Sequence, residues 1–128
     1  MSDRAYYAAM LRFVAGKLAE TETADPRTTA MVAVLRDASE AFEAGQPLMV
    51  AGDRLDLAAR AFAGFAGFLQ KQILPEAVAH NNSVGEAQIR RAVDAAMEAV
   101  NVLLSSSALG TGEDVVLPPS QAAFSVVD

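Results

Sequence analysis

The chain has 128 residues, a formal net charge of −6 and no cysteine, which is one domain's worth of sequence, able to bury about two thirds of the surface its unfolded form exposes. Without thiols there are no disulfides, thiolate metal sites or thiol nucleophiles, a pattern that fits a reducing compartment and makes cytoplasmic the expected localisation. An acidic balance with no basic cluster beyond Arg90-Arg91 repels phosphate backbones, so no direct nucleic-acid binding is expected.

Apolar residues make up 52% of the chain, 27 of them alanine, while aromatics are only 6%. Alanine is the strongest helix former, so the composition points to an all-α fold. The charge-free stretches between Arg60 and Lys71 and between Glu98 and Glu113 fall short of the ~18 apolar residues a bilayer span needs, and no membrane span is expected. The N-terminal apolar run between Arg4 and Arg12 is short and is preceded by Asp3, so no secretory signal is expected.

In chain order, a first helix is expected from about Asp3 to Glu20, with Tyr7, Met10, Leu11, Val14 and Leu18 repeating at the spacing that lines one helical face. Asp25-Pro26 restarts the pattern as an N-cap acceptor followed by proline at the first helical position. The second helix buries Met31, Val34, Leu35, Ala38 and Phe42 and stops at Gly45, the residue type that tolerates a left-handed cap. "QPLMVAGD" reads either as a loop ending at an Asp53 cap or as a helical turn from Pro47. A third helix follows with Leu55, Ala59, Phe62, Phe65, Ala66, Leu69 and Ile73 on its main face, ended or kinked by Pro75. "SVGE" fits a capping box between Ser83 and Glu86. It opens a fourth helix with Ile89, Val93, Ala96, Met97, Val100, Leu103 and Leu104 in one stripe. Short connections favour antiparallel neighbours, hence an antiparallel four-helix bundle over residues 1–107 with no strand in it.

Residues 108–128 change character. They carry half the net charge (Glu113, Asp114 and Asp128), flexible glycines, a Pro118-Pro119 pair, and apolar Val116, Leu117, Phe124 and Val126. So many β-branched and aromatic groups argue against a solvated tail. An extended, non-helical docking tail is expected, with those four residues as its anchors, on its own bundle or on another chain.

The third helix poses the sharpest question. In "RAFAGFAGFLQK" two glycines stand among three phenylalanines, each costing about 1 kcal/mol against alanine in a helix. On a helical wheel Leu57, Ala61, Gly64 and Phe68 form a second apolar flank, separate from the main stripe, and the polar strip between carries Asp53, Asp56, Arg60, Gly67, Gln70 and Lys71. Two apolar faces ask for two partners. One reading places this helix centrally, between two neighbours of its own chain; the other gives the flank to a symmetry mate or another protein.

Catalytic and metal signatures are sparse. His80 is the only histidine, which removes two-histidine metal sites and di-iron bundles. Asp94 and Glu98 at i, i+4 read as a solvated face, and "GTG" at 110–112 has neither the preceding strand nor the following helix of a phosphate loop. No cofactor, no metal and no enzymatic activity are expected. The functional expectation is a protein-interaction module, acting as a homo-oligomer or as an accessory subunit with a protein partner. The alternative is a bundle that binds a small apolar ligand among Met10, Met31, Phe65 and Met97.

Overall fold

A computed structural model describes residues 3–21, 26–110 and 112–117. The elements are α1 (Asp3–Thr21), α2 (Pro26–Glu43), β1 (Leu48–Val50), a 3-10 turn (Gly52–Arg54), α3 (Leu55–Phe68), a π turn (Leu69–Ile73), α4 (Leu74–Ala79), α5 (Ser83–Leu109) and β2 (Val115–Leu117). The fold is all-α apart from the two three-residue strands.

α1 packs along α2 and α3 along α5, and contact between α2 and α3 joins the two pairs into one core. Only residues 22–25 separate α1 from α2 in sequence, so contact along their lengths requires opposite directions. Ser39 Oγ donates to the Ala8 carbonyl at 2.8 Å, which satisfies the one buried polar side chain of α2 and shows how closely the helices approach. Arg12 and Glu43 pair across the same seam on the exposed side. At the centre the Tyr7 ring stacks on Phe42 at 5.7 Å and meets Phe65 edge-on, also at 5.7 Å, contacts worth roughly 0.5–1.5 kcal/mol each beyond the area they bury.

The burial pattern departs from the expected faces where alanine decides. On α5 the buried set includes Ala92, Ala95, Ala96 and Ala99, and α3, which packs along it, buries Ala58, Ala59, Ala61 and Ala66. Small residues on both sides let the helices approach closely, and α5 turns its alanines inward. Met97 and Leu104, expected in the core stripe, are left exposed. On α2, Val32 and Ser39 enter the core while Met31 and Val34 are half-buried. By length and composition α5 is apolar enough to cross a membrane; its alanine-rich buried side packs along α3, while Val84, Met97, Val102, Leu104 and Leu109 stay exposed.

Three local expectations need correction. "QPLMVAGD" forms neither a loop nor a helical turn: Leu48–Val50 is a strand, paired antiparallel with Val115–Leu117. A strand this short shows no alternation to read, and its mate lies far along the chain. Ser83 does not cap α5. Asn82 does, its Oδ1 accepting from the Gly85 amide at 3.0 Å, while Glu86 pairs with Arg90. Pro75 does not end the helix, which runs on to Ala79; of the two outcomes expected the structure shows an interruption instead, a π turn over Leu69–Ile73 in which Leu74 donates its amide to the Leu69 carbonyl, five residues back. The wider turn absorbs the missing proline amide and makes room for its ring. At its other end α5 runs to Leu109, past the expected boundary at 107, and closes on Gly110 at φ +67.

Candidate interaction surfaces

The second flank of α3 is largely covered by its own chain. Ala61 is buried, and Leu57 and Phe68 are half-buried. Phe13 of α1 meets Phe68 edge-on at 6.1 Å and is itself 43% exposed, with the Lys17 ammonium over its ring at 5.6 Å. Gly64 alone of the four flank residues stays open. The flank is therefore no bare apolar face, and at Phe68 it is α1 that supplies the cover.

The outward strip beside that flank carries Asp56, Arg60, Ala63 and Gly64, all exposed, and the half-buried Gly67. Asp56 and Arg60 are paired at 3.0 Å. A Cβ built at Gly64 or at Gly67 would meet nothing within 4 Å. Close packing inside this chain therefore does not explain either glycine.

A second surface lies at the strands. Leu48, Val50 and Leu117 are buried, whereas Met49 and Val116, opposite each other in the pairing, are 61% and 51% exposed. Of the expected tail anchors, Leu117 is thus a core residue and Val116 faces outward, and the strand they belong to docks on its own chain. Phe124 and Val126 lie outside the described residues. A clasp secures this docking: the Gly52 amide donates to Asp114 Oδ1 at 2.9 Å, and a Cβ at Gly52 would run into the Gly112 carbonyl and stand 2.9 Å from that of Glu113. Glycine is required there by the approach of the other backbone. Between α2 and β1 runs a cleft of about 270 Å³ lined by Ala30, Ala33, Val34, Asp37, Leu48, Met49, Val50, Ala51 and Arg54.

The sole histidine borders a shallower cleft of about 350 Å³ with Tyr6, Ile73, Glu76, Gln88 and Ile89 among its lining. His80 Nδ1 lies 2.8 Å from the Glu76 carbonyl oxygen. A carbonyl only accepts, so this ring nitrogen is the donor of the bond. Half-burial raises the Tyr6 phenol above its ordinary value, keeping it a neutral donor. Tyr7, fully buried, is pushed up much further by burial, with the Glu98 carboxylate adding to the effect. Among the described residues no group of three or more histidines and carboxylates is placed to hold a metal ion.

The four residues of the alternative ligand site differ in their burial. Phe65 is fully buried against Tyr7, Met10 and Met31 are half-buried, and Met97 is 41% exposed. None of the four lines the clefts described above. Sequence reasoning also passed over Phe13, which falls off the periodic face of α1, and Met49, hidden in a segment with no readable period. Comparison with family models, curated proteins and solved structures finds no match.

Proposed function

We propose that this chain is a non-enzymatic protein-interaction module, working as an oligomer or as an accessory subunit, and that the outward side of α3 is its contact. The observation that carries the reading is the open space over Gly64 and Gly67. A glycine inside a helix is destabilising by about 1 kcal/mol relative to alanine, and the fold itself gains no contact in return at either position. Close approach by a second backbone is what such positions permit. The half-exposed Phe13 and half-buried Phe68 supply an aromatic shoulder beside the flat strip, an arrangement suited to anchoring a partner.

The test is Gly64→Leu combined with Gly67→Leu. Leucine favours the helix and its Cβ meets no atom within 4 Å at either position, so folding is expected to be retained, which circular dichroism checks before association is read. Association with its own kind, read by light scattering, or with host proteins, read by affinity capture, is lost. Unchanged assembled mass together with unchanged capture would refute the reading. The small-ligand alternative keeps one supporting feature, the mainly apolar cleft between α2 and β1, and a co-purifying mass in native mass spectrometry would favour it.

A further inference from the structure

We propose that the partner covering the outward side of α3 is a second copy of this chain, its α3 crossing the first antiparallel about a two-fold axis, so that Asp56 of each copy meets Lys71 of the other. The proposal rests on the reading above and names its partner.

The register follows from the residues on that side. Asp56, Arg60, Ala63 and Gly67 fall on one strip at the helical spacing of three and four. The π turn beyond Phe68 brings Lys71, four residues after Gly67, back to almost the same side, because i→i+5 bonding lets each turn hold more residues. The strip thus has an acid at one end, a base at the other and the smallest residues between them. A two-fold axis midway between Ala63 and Gly64 sets Ala63 against Gly64, Arg60 against Gly67 and Asp56 against Lys71. The central positions let the two backbones come closer than the usual 8–10 Å between helix axes. Gly67 leaves room for the facing Arg60, whose own bond to Asp56 at 3.0 Å then extends to the Lys71 ammonium of the second copy. The charged ends stand roughly 11 Å to either side of the crossing, within reach of a lysine and an aspartate when the axes cross at a shallow angle. A parallel arrangement would set Asp56 on Asp56 and Lys71 on Lys71, which repels at both ends. The strip is complementary to itself at both ends about one two-fold axis, and this is the reason for choosing a second copy over an unrelated protein. Phe13, 43% exposed beside Phe68, gains cover at the rim.

The experiment uses Asp56→Lys and Lys71→Asp, alone and mixed, with mass read by light scattering and folding by circular dichroism. The wild-type chain is expected to dimerise at micromolar concentration. Each single variant weakens self-association by about tenfold, because both ends turn from attraction to repulsion. The equimolar mixture recovers wild-type affinity, since the new lysine of one variant then faces the new aspartate of the other, and the unchanged Lys71 faces the unchanged Asp56. Should Asp56→Lys fail to fold, Asp56→Asn replaces it, and the mixture recovers one end of two and an intermediate affinity. A wild-type chain that stays monomeric overturns the second copy, while the leucine variants still decide whether α3 binds another protein. Loss of self-association in the leucine variants without recovery in the charge mixture overturns the antiparallel register and leaves the broader reading standing.

Discussion

Gly64→Ala asks most directly whether the glycines of α3 serve the chain's own fold. The added methyl meets no atom within 4 Å, so the change removes backbone freedom from the unfolded state and costs no packing. An interior helix position then gains about 1 kcal/mol. With an unfolding entropy near 2.1 cal/mol/K for each of the 128 residues, the melting temperature should rise by about 4 °C. Urea unfolding followed by circular dichroism, at a dilution where light scattering shows monomer, measures the gain. At concentrations that favour association the gain should shrink, because the methyl then lies at the contact. An unchanged or lowered stability in the dilute monomer would refute the reasoning, showing that the chain itself needs glycine at this position.

Gly52→Ala should act in the opposite sense: the new Cβ collides with the Gly112 carbonyl, costing roughly 1–3 kcal/mol and raising hydrogen exchange at Val115 and Leu117. Asn82→Ala removes the side chain that accepts from the Gly85 amide and should cost about 1 kcal/mol, whereas Ser83→Ala should stay within about 0.5 kcal/mol; equal losses from both would contradict the cap assignment. Tyr7 carries a folded-state pKa raised by burial and by Glu98, so its contribution is intact below the unfolded value near 10 and declines as pH climbs above it, by at most about 1.4 kcal/mol per pH unit. Phenolate absorbance should show Tyr7 ionising only together with unfolding, and Tyr7→Phe should remove that part of the alkaline slope; reversible ionisation in the folded state would be inconsistent with its burial.

Periodicity exposed the helices because their apolar positions repeat over several turns, and the central residues Tyr7, Leu11, Phe42, Phe62 and Phe65 are all buried as their spacing requires. Alanine is where the pattern misleads. It counts as weakly apolar in any face, yet Ala92, Ala95 and Ala99 lie inside α5 while Met97 and Leu104 are exposed, as small residues allow where two helices pack closely. The strands escaped notice for a different reason: β1 is three residues long and its mate is β2, which no local window contains. The question of the glycines was legible, but only placement separates the two cases. Gly52 is held against Gly112, whereas Gly64 faces open space. The wheel marked the Leu57 and Phe68 flank as one needing cover and left open whose chain supplies it; it could not show that Phe13 of α1 meets Phe68 there.

Pairing Leu48 with Leu117 sets an order of events for a chain made from its N-terminus. The helical hairpin of α1 and α2 can collapse as soon as it is synthesised, but Leu48 and Val50 have no hydrogen-bonded neighbour until residue 117 has been added. During that interval a short greasy edge waits in the open, the kind of surface that strays into wrong pairings at high concentration. Closing so large a loop is slow, since contacts distant in sequence form late. Refolding should therefore end on a phase reported by the strand amides, behind the signal from the helices.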